Sequence, residues 1–134
     1  MLSSVARAGN VATNIATSNT TDGNRTLLQR FTVIGKAIDY NVVADDPDGL
    51  YPFCVTLQLE KRTKQGWRAV DKSSSDSFRH ECLKTSDEGE STSNTHVGWD
   101  TFIYPTRRLT EQFKLGKLRL HGFTDLGGDL MYRR

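Results

Sequence analysis

Residues 53–61, FCVTLQLEK, alternate apolar and polar side chains without a break. Phe53, Val55, Leu57 and Leu59 fall on one parity; Cys54, Thr56, Gln58 and Glu60 fall on the other. Successive side chains of a strand point to opposite faces, so this period of two predicts a β-strand with one face on a core. The strand runs through Arg62-Thr63-Lys64-Gln65-Gly66, a tight polar turn, into residues 67–72. Strand, short Gly-containing loop and strand predict a hairpin.

Working outward, residues 30–43 (RFTVIGKAIDYNVV) are β-branched and aromatic. They read as one long strand kinked at Gly35, with a change of parity near Asp39. Residues 44–51 (ADDPDGLY) are turn chemistry, with Pro47 and Gly49 setting backbone angles. Residues 77–83 read as a strand with Phe78, His80 and Cys82 on one side, and 84–94 (KTSDEGESTSN) as a long acidic connection. Residues 96–104 (HVGWDTFIY) return to strand. In residues 107–115, Leu109 and Phe113 stand at i and i+4 and Gly116 follows, which predicts one short helix. Residues 117–123 alternate again with Leu118 and Leu120 inward, and 130–132 read as a last edge strand. About seven short strands, one helical turn and no βαβ rhythm predict an all-β fold, an antiparallel β-sandwich or small barrel.

A chain of 134 residues, 36% hydrophobic and 25% charged, has room for one core. That excludes a two-domain enzyme with an interdomain cleft. No apolar run approaches the roughly 18 residues that span a bilayer, so membrane insertion is not expected. The net charge of +2 is too balanced for a general nucleic-acid binder, and any polyanion would have to be met by a patch.

Residues 1–26 (MLSSVARAGNVATNIATSNTTDGNRT) contain no aromatic residue and few apolar ones, and cannot build a core. They are expected to be a polar N-terminal arm on a single domain of residues 27–134. Ser3, Ser4, Arg7 and Asn10 break every candidate signal-peptide core, and the single arginine before Asp22 is thin for an organellar transit peptide. The sequons at Asn19 and Asn24 matter only in a eukaryotic secretory setting.

Cys54 and Cys82 sit in two different predicted strands, 28 positions apart. They are expected to be close neighbours across the sheet, joined in an oxidising compartment or buried as thiols in a reducing one.

Several constellations invite a chemical reading. Asp45, Asp46 and Asp48 place three carboxylates on one turn, a candidate cation loop that lacks the full EF-hand pattern. His80, His96 and His121 share no short metal-binding spacing with one another. Asp76, Ser77 and His80 crowd one short segment without a nucleophile elbow, so no catalytic set is expected, and no cofactor. Lys61, Arg62, Lys64, Trp67 and Arg68 put four cations and an indole at a hairpin tip, the mix that contacts phosphates and stacks on a base or sugar. The favoured reading folds Trp67 inward as a core anchor, because it follows the loop directly on an alternating strand. Charge is also segregated along the chain: residues 71–90 are acid-rich, while the C-terminal stretch carries Arg107, Arg108, Lys114, Lys117, Arg119, Arg133 and Arg134. Between copies, such segregation favours association.

The expected role is therefore a non-catalytic structural subunit of a virion or filament type. Its arm would become ordered by adding a strand to a neighbouring copy. The alternative is a small secreted lectin-like domain using Trp67, Trp99 or the turn at 45–49.

Overall fold

A computed structural model of the chain describes residues 12–46, 52–74, 77–83 and 96–133. The aspartates Asp48 and Asp76, and the connection 84–94, lie outside the described residues. The described chain is an all-β sandwich of two antiparallel sheets with a single short helix. The strands are β1 (Ala12–Asp22), β2 (Arg25–Ile34), β3 (Ala37–Asp45), β4 (Phe53–Thr63), β5 (Gly66–Ala69), β6 (Phe78–Leu83), β7 (His96–Ile103), β8 (Leu118–Thr124) and β9 (Asp129–Tyr132), with helix α1 (Arg107–Lys114) between β7 and β8. The first sheet has the order β1-β2-β3-β7. The second is built on β4, with β8 and then β9 on one side. On its other side β4 pairs β6 along Phe53–Gln58 and β5 along Glu60–Thr63.

The alternation in β4 is realised as read: Phe53, Val55, Leu57 and Leu59 are all buried in the core. Opposite them β3 contributes Ile38, Tyr40, Val42 and Ala44, and β2 contributes Leu27 and Phe31. Residues 30–43 are not one kinked strand, however. They form a hairpin in which Ile34 pairs with Ala37 across the two-residue turn Gly35-Lys36. Gly35 has φ 60°, and a glycine at the first central position is the chemistry of a turn that matches the twist of its strands. The parity change near Asp39 is that turn's effect, since the inward set is odd-numbered on β2 and even-numbered on β3.

Residues 12–22 belong to the first sheet. β1 pairs antiparallel with β2 of its own chain from Ala12–Ile34 to Asp22–Arg25, closed by Gly23 at φ 62°. The strand addition expected against a neighbour is thus met within the chain. β1 remains polar and mostly exposed, since its role here is backbone pairing rather than burial.

The helix ends as its sequence dictates. Thr106 caps the N-terminus by accepting from Leu109 N, at 3.1 Å. At the other end Gly116 (φ 72°) donates to Phe113 O and Lys117 to Gln112 O, the paired bonds of a Schellman stop. Phe113 is buried and meets Tyr132 edge to face at 5.5 Å, which seats the helix across one end of the sandwich.

The sheets are held at their spacing by Tyr40. Its ring, fully buried, packs on Phe31 and Trp99 and reaches across to β8, where Gly122 leaves room for it. A Cβ on Gly122 would overlap ring carbon Cε1 and lie 2.6 Å from Cζ. Gly122→Ala is therefore expected to destabilise the protein by about 1–3 kcal/mol through overpacking. Leu57→Ala is expected to cost about 2–5 kcal/mol through the cavity it leaves. Urea unfolding of both variants checks this; a shift near zero for either would place that side chain outside the packed interface.

Candidate functional site

The first feature is an edge. β1 lies at the margin of its sheet. Asp22 and Arg25 flank a two-residue turn and so form a hydrogen-bonded pair, which by alternation points the backbone groups of Thr17, Asn19 and Thr21 away from β2. Exposed edges are usually blunted by Lys, Pro or bulges. β1 (ATNIATSNTTD) has no Lys, Arg or Pro, and its only irregularity is the register shift at Ile15. The opposite margin is closed differently: Arg79 of β6 donates to Thr101 Oγ1 at 2.7 Å and to Phe102 O at 2.6 Å, stapling the two sheets across β7.

The second feature is an axial separation of charge. The turn Gly35-Lys36, the end of β4, the start of β8 and helix α1 all lie at one end of the sandwich, as the registers require. That end carries Lys36, Lys61, Arg62, Lys64, Arg68, Arg107, Lys114 and Lys117. Lys61 stands directly opposite Arg68, a like-charge pair. Against them stands Glu111, 4.0 Å from Lys114. A cavity of about 520 Å³ opens here between the turn and the helix, floored by Val33, Ile38, Phe113 and Tyr132. The other end gathers Asp22, Asp45, Asp46 and Asp125. Asp46 is buried beside Arg25, which also donates to Pro52 O at 3.1 Å. Of the candidate cation loop, Asp46 is buried beside Arg25, Asp45 is exposed at the end of β3, and Asp48 lies outside the described residues.

The basic hairpin is where the sequence placed it, with Lys61, Arg62, Lys64 and Arg68 all exposed. Trp67 is not the core anchor that its place on an alternating strand predicts. The register sets it opposite Arg62, on the same face as Glu60, which is the outer face of the second sheet. The two-residue turn Lys64-Gln65 decides this parity. Trp67 is half-buried there because the Arg119 guanidinium covers its ring at 4.4 Å.

Arg119 leads into a polar network that sequence reading missed. Its Nε donates to Glu60 Oε1 at 2.7 Å, and Gln58 Nε2 donates to Glu60 Oε2 at 2.6 Å. His121 Nδ1 lies 2.8 Å from Glu60 Oε2, and its Nε2 lies 2.6 Å from Asp129 Oδ1. Both ring contacts are hydrogen bonds when the imidazole carries two protons. Burial pushes the Glu60 carboxyl up, but the bonds from Gln58, His121 and Arg119 outweigh it and hold it below the usual range. The signal was the polar parity of β4 itself: three of four outward residues there were hydrogen-bonding types on a central strand. The network ties β4 to β8 and β9 through side chains that hydrogen-bond one another.

The third feature is the sulfur corner. Cys54 and Cys82 are directly paired and joined as a disulfide. They lie on the outer face, with Cys82 exposed, so the buried-thiol alternative does not hold. His80 lies beside them, its Nδ1 2.9 Å from Thr56 Oγ1 and its Nε2 3.6 Å from Cys82 Sγ. His121 belongs to the Glu60 network and not to this corner.

On the outer face of the first sheet, Asp39 and Asp100 share a hydrogen bond. Burial, then the bond and the charge of Asp100, raise Asp39 to about 7 against the opposing pull of Arg30. Nothing of this pair showed in the sequence, because the two aspartates meet only through the β3–β7 register.

No family model, curated protein or solved structure matches the chain.

The folded state holds a proton on Asp39 between the unfolded value of about 4 and the folded value of about 7, so this group's contribution to stability falls as pH rises through that window. Asp39→Asn is expected to be more stable than the parent at pH 8 by roughly 1–3 kcal/mol, with little difference at pH 4. Denaturant midpoints across that range check the sign; a pH-independent difference would contradict it.

Proposed function

We propose that the protein is a non-catalytic structural subunit that assembles with copies of itself through β1. The observation that carries this reading is the regular edge of β1 over residues 16–22, beyond the irregularity at Ile15, whose outward amides and carbonyls at Thr17, Asn19 and Thr21 suit strand addition. Antiparallel pairing of β1 with β1 of a second copy, centred on Asn19, sets Thr17 of one copy against Thr21 of the other. It makes about six backbone hydrogen bonds. The same antiparallel arrangement lays the cationic end of each copy beside the acidic end of the other, so the two features support one geometry. Backbone pairing is indifferent to the polarity of the strand, which accounts for a long segment without core-forming residues.

Asn19→Pro removes one outward amide without touching the β1–β2 ladder. Light scattering coupled to gel filtration is expected to give a dimer or larger species for the parent at low salt. For the variant it is expected to give a monomer with an unchanged circular dichroism spectrum. Higher salt should weaken the parent's association, because surface charges are screened beyond about 10 Å at 0.1 M. A parent that stays monomeric at millimolar concentration would overturn the proposal and leave the hairpin of Lys61–Arg68, with Trp67, as the surface of a ligand-binding domain.

A further inference from the structure

We propose that reduction of the Cys54–Cys82 bridge turns this corner of the second sheet into a Zn²⁺ site formed by Cys54 Sγ, Cys82 Sγ and His80 Nε2. Three arguments support it, each from a different observation.

Geometry comes first. Cys54 donates its amide to Asp125 Oδ1 at 2.9 Å and accepts from Asp125 N at 3.2 Å, so its backbone groups face β8 and not β6. Cys54 and Cys82 are therefore a non-hydrogen-bonded cross-strand pair, the kind whose side chains approach most closely, with Cα atoms 4.0 Å apart. The two sulfurs and the imidazole nitrogen lie within 4.8 Å of one another. A tetrahedral zinc with bonds of about 2.3 Å to sulfur and about 2.0 Å to nitrogen needs its ligand atoms roughly 3.5–3.8 Å apart. Once the bridge is open, side-chain rotation on a fixed backbone supplies that separation.

Orientation is the second argument. Metal-bound histidines have their other ring nitrogen fixed by a partner. Here the Thr56 hydroxyl, buried on the central strand, lies 2.9 Å from His80 Nδ1, and the Phe78 ring stacks within 7° of parallel to the imidazole. Both contacts leave Nε2 aimed at sulfur. With Nδ1–H donating to Thr56 Oγ1, Nε2 presents the lone pair that ligation requires.

Access is the third. His80 and Cys82 are both exposed, so reductant and ion reach the site without unfolding. The fourth tetrahedral position opens to solvent and takes water.

In the reduction the S–S bond breaks, taking two electrons and two protons. A water-soluble trialkylphosphine supplies the electrons and is oxidised to its phosphine oxide with the oxygen of one water. Zinc binding then forms two Zn–S bonds and one Zn–N bond and releases the thiol protons.

The test uses the full chain, oxidised or phosphine-reduced, titrated with Zn²⁺ alone and separately with Co²⁺ as a spectroscopic probe. The reduced chain is expected to take up one ion per chain and, with Co²⁺, to show thiolate charge-transfer absorption and the strong visible bands of tetrahedral coordination. The oxidised chain and a Cys54→Ala/Cys82→Ala variant should show neither. His80→Ala should weaken binding at least tenfold, and Thr56→Val by about tenfold, because it frees the ring. If the reduced chain loses its β spectrum, added Zn²⁺ must restore it. Failure of that recovery, equal uptake by the oxidised chain, or unchanged affinity in His80→Ala would each overturn the proposal.

Discussion

The contact of Tyr40 with Gly122 is the constraint on which the rest of the molecule depends. A full aromatic ring from one sheet lies over the bare backbone of the other, and its hydroxyl donates to the buried Gln29 Oε1. A phenol so deeply buried has its ionisation pushed well upward, so it stays a neutral donor. Gln29, itself fully buried on β2, has its oxygen satisfied only while β2 and β3 keep their register. One side chain thus sets the distance between the sheets and penalises a slip of the first hairpin. Trp99 meets the Tyr40 ring edge to face, and Phe31 and Tyr132 carry the packing on to Phe113 of the helix.

With the interior fixed in this way, polarity is sorted to the two outer faces and the two ends. The central strand β4 shows the division most clearly. Its odd residues from Phe53 to Leu59 are core, while its even residues carry a disulfide, a threonine that positions His80, and the Gln58–Glu60–Arg119–His121 network. The network keeps a buried charge in place by surrounding it with donors, which favours specificity of register over net stability. The margins are treated unequally. Arg79 locks the β6–β7 side, whereas β1 is left with an open row of backbone groups, and this asymmetry motivates the assembly reading.

The legible part of this fold was whatever depended on local pattern. The alternation of residues 53–61 and the Leu109–Phe113 spacing with Gly116 beyond it follow from neighbours in sequence, and the nearness of Cys54 and Cys82 from each lying within a strand. The hairpin at Gly35 was misread because a two-residue turn and a bulge both interrupt the alternation, and only pairing partners tell them apart. Trp67 was misplaced for a related reason: its face depends on the number of residues in the turn before it. β1 escaped notice because a strand that buries almost nothing leaves no apolar period. Its signature was the Thr- and Asn-rich run before Asp22-Gly23-Asn24. The Glu60 and Asp39 clusters join residues 59 to 61 positions apart, and a single sequence holds no record of such register.

The assembly reading stands or falls on whether the outward amides of β1 acquire partners. Hydrogen exchange of the Thr17, Asn19 and Thr21 amides, followed by NMR across a hundredfold range of protein concentration at low salt, measures this directly. The account predicts that these three amides become protected as concentration rises, while those of Ser18 and Thr20, already bonded to β2, do not change. Exchange of Thr17, Asn19 and Thr21 that stays fast at every concentration would contradict it.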